Sequence, residues 1–331
     1  MKKSLLKAAA YFMACSSIFI ACDKDDDNDG NAMMNENTSD LYVSSNTSGS
    51  IAVFNVLAPN AITTNSLSVS GADADGIYYD QAADRIIQFD RSNKKLNAYN
   101  NASSLTGTIT PSFSIDVAAA NGREITVNNN TVVLASSSDS ALFVFSISDS
   151  GFTLEKSHKI GFESWGIQLV GNTLFAVVDK TSDLAIFNNY TNMASGDIMP
   201  SKRFTVEGIV RTHGLHFVES KDMMIMTDVA DAASDSDGAV HVIRAFTNKM
   251  VATSNGGTLA LSDQVRISGA NTSLGNPVDV AYDLNNDIIY VAERKTQGGL
   301  LLGFDLPSSN NMDIPRYTEA VAGVSAVYMN N

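Results

Sequence analysis

The chain has 331 residues with 36 acidic side chains against 22 basic ones, a formal net charge of −14. Phosphate contacts need clustered lysine and arginine, and no such cluster occurs, so a nucleic-acid partner is excluded from the reading. The sequence opens on Met1-Lys2-Lys3, with Lys7 nearby, and then runs apolar from Ala8 to Ala21. A basic start, a short apolar run and a small residue make a secretion leader. The run is about 14 residues and a spanning helix needs about 20, so a permanent transmembrane anchor is not expected.

The leader ends in Phe19-Ile20-Ala21-Cys22. This resembles the bacterial lipobox, in which a small residue precedes a cysteine that receives diacylglycerol; Phe19 departs from the commoner leucine. The resemblance implies a signal peptide over 1–21, cleavage before Cys22, and acyl chains (palmitate among them) on Cys22. The expected partner is then the membrane, reached through the lipid anchor. Two or more acyl chains hold a membrane stably, where one holds it marginally. Cys15 leaves with the leader, so no disulfide, thiol nucleophile or cysteine-held zinc is available to the mature chain.

Residues 22–40 read as an acidic tether, beginning Cys22-Asp23-Lys24-Asp25-Asp26-Asp27. Dense like charge and few apolar residues favour a disordered linker. Its 18 residues after the cysteine span about 60 Å when extended. An acidic run directly after the lipid cysteine resembles the surface-export signal of Bacteroidetes-type lipoproteins, which implies an outer-membrane protein facing the cell surface. Asp25, Asp27, Asp29, Gly30 and Glu36 also fit the calcium-loop pattern D-x-D-x-D-G-x5-E. That loop needs an entering helix, and cleavage before Cys22 leaves no room for one, so the match is read as coincidental.

From residue 41 to 331, short runs rich in Val, Ile, Phe and Tyr alternate with Ser, Asn, Asp and Gly turns, a strand pattern. First strands open at Gly76, Gly122, Gly166, Gly214, Val278 and Gly323, spaced by 46, 44, 48, 64 and 45 residues. Second strands follow at Arg85, Thr131, Thr173, Met223 and Asp287, and third strands at Leu96, Leu142, Leu184, Val240 and Leu301. The domain's opening, Leu41–Ser45 and Ile51–Phe54, reads as a second and third strand lacking a first. The C-terminal piece, Gly323 to Asn331, reads as a first strand lacking a second. Joining them completes a sixth unit. The fold class is therefore all-β, a six-bladed β-propeller with one blade closed by the N- and C-terminal strands. A ring leaves no bare apolar face, and a monomeric domain is expected. The 64-residue unit carries an insertion, placed in the acidic loop 228–238 between its second and third strands.

The repeats resemble the NHL and YVTN propeller families, most closely in DVAYDLNNDIIYVAERKTQGGLLLGFD (279–305). Those families' functions vary too widely to carry residue roles across.

Residues flanking the first-strand starts should crowd around the axis. They are Asp75, Arg123, Glu124, Trp165, Arg211, His213, Asp279 and Ser325, a candidate small-molecule site at one channel mouth. The bland alternative is mutual satisfaction, with Arg123 and Arg211 paired to Asp75, Glu124 or Asp279 and Trp165 plugging the channel. Asp75, Glu124, His213 and Asp279 are candidate ligands for a divalent cation such as calcium, as carboxylates are in lactonase-type six-bladed propellers. His158, His216 and His241 read as structural or exposed rather than catalytic. No G-x-S-x-G, H-E-x-x-H or phosphate-loop pattern occurs. The sequence thus favours a lipid-anchored, non-enzymatic envelope module that binds or scaffolds a protein or small molecule, with a metal-dependent hydrolase or lyase as the alternative.

Overall fold

A computed structural model describes residues 39–56, 63–311 and 313–331. The leader, Cys22 and the calcium-loop match all lie outside the described residues. The alternating runs form six separate small sheets. Each sheet runs from an inner strand outward through antiparallel neighbours, as in a propeller blade. Blade 1 comprises Ala74–Asp80, Arg85–Asp90, Lys95–Asn100 and Phe113–Asp116. The inner strands of blades 2 to 5 are Gly122–Asn128, Ile167–Val170, Thr212–Val218 and Pro277–Asp283.

Blade 6 is assembled from both ends of the propeller. Its inner strand, Val324–Asn330, pairs antiparallel with Asp40–Ser45, which pairs in turn with Ile51–Asn55. Leu41 faces Met329, Tyr42 faces Tyr328 and Val43 faces Val327. The expected closure is therefore present.

Six buried apolar clusters fill the six spaces between neighbouring blades. One joins Phe175 and Val177 of blade 3 to Met224 and Met226 of blade 4. Another joins Tyr290 and Leu301 of blade 5 to Leu41 and Val43 of blade 6. The sheet faces are apolar because each is covered by the next blade, which explains second strands as fully buried as Arg85–Asp90 and Met223–Asp228.

Blade edges are also covered. Gly107–Thr108, Gly196–Asp197 and Thr258–Leu259 each reach back from one blade to pair in parallel with the outer strand of the blade before it. Such pairing hides backbone groups that an edge would leave open. The extra length of blade 4 is not confined to the acidic loop. A further part is the helix Phe246–Ala252, which lies between the third and fourth strands and buries Phe246. Among the described residues no helix is long and apolar enough to cross a membrane.

Candidate functional site

Gly76 lies against Glu124 and Ile125, Gly166 against Gly214, and Gly214 against Asp279, so matching positions of neighbouring inner strands stack as layers around the axis. The first layer holds Asp75, Arg123, Trp165, His213 and Ser325, with Val278 in blade 5. The next holds Gly76, Glu124, Gly166, Gly214, Asp279 and Ala326. Two residues further on come Tyr78, Thr126, Gln168, His216 and Tyr328. Strand side chains alternate in direction, so alternate layers share a direction.

The first layer is a closed plug. Arg123 lies 3.2 Å from Asp75, and Arg91 contacts the same carboxylate at 3.3 Å. The Arg123 guanidinium sits 3.8 Å from the centre of the Trp165 ring. Trp165 also stacks on His213, with ring centres 3.7 Å apart and planes 26° apart. His213 Nε2 meets Asp179 Oδ1 at 3.1 Å, and Arg211 Nε donates to the same oxygen at 2.9 Å. Burial pushes His213 down to about 4, so the ring is neutral at pH 7 and Nε2–H donates. Burial works to raise Asp179, but the hydrogen bonds from His213 and Arg211 outweigh it and hold the carboxyl below its usual range. Burial raises the Asp75 carboxyl and lowers the Arg123 guanidinium, and their mutual attraction opposes both shifts. Ser325 Oγ donates to the Ala74 carbonyl at 2.8 Å and ties blade 6 to blade 1.

The second layer is mostly hydrogen and methyl groups. A Cβ on Gly76 would fall 2.5 Å from the Ile125 nitrogen, and one on Gly214 would fall 2.6 Å from the Asp279 Cα. The absent side chains leave the axis to Glu124 and Asp279. These sit on blades 2 and 5, opposite one another in the ring, and their carboxyls meet within hydrogen-bonding reach. Burial and mutual repulsion raise Glu124 well above the carboxylate range, and burial pushes Asp279 up to about 7. Asp279 Oδ2 also accepts from the Val327 backbone N–H at 2.8 Å.

Beyond this pair the axis opens into a cavity of about 570 Å³. Its lining begins at Glu124 and Asp279 and runs to the far ends of the inner strands, at Asp80, Val127, His216 and Asn331. The walls are tied across blades. Thr126 Oγ1 accepts from the Leu169 N–H at 2.9 Å, and Gln168 makes two hydrogen bonds with the Phe217 backbone. Tyr78 and Tyr328 pack with ring centres 4.6 Å apart. His216 lines both this cavity and an adjoining groove of about 470 Å³. Its ring has no hydrogen-bond partner among the described residues, and burial lowers it to about 4.

The eight candidate residues thus divide between two functions. Asp75, Arg123, Trp165, Arg211, His213 and Ser325 lock the plug, while Glu124 and Asp279 floor a cavity that opens at the opposite mouth. Arg211 pairs with Asp179, none of the three partners the sequence suggested. Of the four candidate metal ligands, Glu124 and Asp279 meet on the axis, while Asp75 is paired with arginines and His213 with Asp179. Among the described residues no three His, Cys, Asp or Glu side chains are grouped to hold a metal ion. His158 and His241 are structural, bonded to Tyr190 at 3.2 Å and Gln264 at 2.7 Å. Sequence reasoning missed Asp179, His216 and the tyrosine pair; counting two residues on from Gly76 and Gly214 along the repeat would have flagged Tyr78 and His216.

No family model and no curated protein matches the sequence. Solved structures do. A chain of the nidogen/laminin complex has a TM-score of 0.62, covering 88% of this chain and 98% of its own, at 13% identity. A Bacteroides fragilis protein described as a 6-phosphogluconolactonase has a TM-score of 0.55, covering 91% and 100%, at 11% identity. Likeness at such identity is one of fold, and it agrees with the six-bladed β-propeller.

Proposed function

We propose that this chain is a cell-envelope lipoprotein, anchored through Cys22 and facing the cell surface, whose propeller binds a small polar ligand in the axial channel. The observation that carries the binding reading is the cavity of about 570 Å³ that ends on Glu124 and Asp279. Its size is that of ordinary small-molecule sites, and convergent polar groups at one end of a concave wall are their usual form. One end of the axis is shut by the Arg123–Trp165–His213 stack, so a ligand enters from the Asp80 and Asn331 side.

The test is a thermal-shift panel of sugars, amines, carboxylates and nucleosides on the mature chain, run beside Ala82→Trp, an exposed position of the channel lining where a large ring narrows the mouth. At least one compound should raise the wild-type melting temperature and leave the variant unmoved. A panel in which every compound treats both proteins alike would overturn the reading.

A metal-dependent hydrolase or lyase of lactonase-like type is the second reading, favoured by the paired carboxyls on the axis. Calcium at one equivalent in the purified protein, lost in Asp279→Ala together with lactone hydrolysis, would support it. Metal-free protein that hydrolyses no lactone with calcium added would remove it.

A further inference from the structure

The axial channel has a sign. Three carboxyls line it, Asp80 near the mouth and Glu124 with Asp279 at the inner end, and no lysine or arginine is among the lining residues. Arg123, which adjoins Glu124 in sequence, belongs to the plug and is engaged by Asp75 and Trp165. The charged group facing the pair from the plug is Asp75, which adds repulsion. Two carboxyls facing each other across the axis without a cation therefore retain a proton that an entering cation would displace.

The surroundings select among cations. Calcium seeks six to eight oxygens, and among the described residues no third acidic or histidine side chain joins the pair. An ammonium group has three donors and needs only three acceptors, which two carboxylates supply. The cavity continues well past the pair, so it has room for an organic body rather than a bare ion. Tyr78 and Tyr328 present aromatic rings on one side of that volume. Across the ring, His216 presents a neutral imidazole with no hydrogen-bond partner among the described residues.

We propose that the channel binds a protonated organic amine, its ammonium seated on Glu124 and Asp279, its body along Tyr78 and Tyr328, and a polar group at His216. The inference rests on the channel being a binding site. Binding transfers no group; the ammonium replaces the proton held between the carboxyls, and that proton leaves to solvent.

Isothermal titration with putrescine and with tyramine tests it, with 1,4-butanediol and a disaccharide as neutral probes. The expected result is saturable binding of an amine at one equivalent, tighter at pH 8 than at pH 6, with proton release seen as a heat that varies with the buffer. Glu124→Gln should weaken it at least tenfold. Asp80→Asn, at the mouth and away from the pair, should weaken it a few-fold and serves if Glu124→Gln does not fold. Saturation by a neutral probe with no response to either amine would overturn the amine inference and leave the binding reading standing. No response to any probe, or amine affinity unchanged in both variants, would overturn it as well, and the first of these would count against the binding reading too.

Discussion

Arg123 and Trp165, from neighbouring blades, are joined face to charge, with the guanidinium 3.8 Å from the ring centre. The same arginine neutralises Asp75, whose side chain is 3% exposed. One side chain thus links three blades at the plugged end of the axis. Removing one partner of a buried pair strands the other charge, which costs about 3–5 kcal/mol. Arg91 remains beside Asp75 and softens the loss. Arg123→Met should therefore lower stability by about 2–4 kcal/mol. Trp165 is the only tryptophan, so its emission reports the same event, and denaturant melts followed by fluorescence measure both.

The acid pair gives a pH signature. Folding raises Glu124 and Asp279 above their unfolded values, so their contribution is fully present in acid, below the unfolded carboxylate range, and lost as pH rises through the raised folded values, about 7 for Asp279. Buried His213 and His241, and half-buried His216, act in the opposite sense, costing stability as pH falls from 6.5 toward about 4. Those histidines are common to wild type and variant, so a difference isolates the pair. Glu124→Gln should match wild type at pH 5 and exceed it at pH 8 by at least about 1.4 kcal/mol, the equivalent of one pKa unit. Thermal melts of both proteins across pH 5 to 8 decide it; parallel curves would mean the two carboxyls do not interact.

Gly214 marks where blades 4 and 5 touch. Its missing side chain lets the Asp279 Cα approach to a position 2.6 Å from where a Cβ would stand. The obstacle is backbone, which has no rotamer to retreat into. Gly214→Ala should cost about 1–3 kcal/mol or more through overpacking, and should shift the Asp279 carboxyl relative to Glu124. Gly151→Ala, in open space on an outer strand, is the control and should leave the melting temperature almost unchanged.

Much of this architecture was legible in the sequence. The inner strands could be found because each ends a period of about 45 residues and because Gly76, Gly166 and Gly214 recur where blades meet. The layers within them could not. Arg123 and Glu124 are adjacent in the chain, yet one residue of offset sends one side chain to the plug and the other to the cavity. Reading both as one mouth merged two environments. Asp179 was hidden for a different reason. It directly follows a second strand, where Asp90, Asp228 and Glu293 end theirs, and those three accept backbone N–H groups of nearby turns. Nothing in Val178-Asp179-Lys180 announces that this one reaches Arg211 and His213 of the next blade.

Closure of the ring rests on the nine residues from Gly323 to Asn331. Val324, Val327 and Met329 are buried in the cluster between blades 5 and 6, each contributing about 1.5–3 kcal/mol. Their strand also carries six paired positions against Asp40–Ser45, the N–H that Asp279 accepts, and the Ser325 link to blade 1. The sum is comparable with the whole net stability of a domain, about 5–15 kcal/mol. Ending the chain at Ala322 should therefore abolish the cooperative melt or leave the protein insoluble. Ser39 already bonds into the ring through Asn285 and Val56, so removing residues 1–36 should leave the melting temperature unchanged. Supplying residues 323–331 as a separate peptide should restore part of the transition, because the strand's pairing surface on Asp40–Ser45 stays in the truncated chain. Calorimetry of the two truncations, with and without the peptide, reads all three outcomes, and a C-terminal truncation that melts like the intact protein would mean the ring is held shut elsewhere.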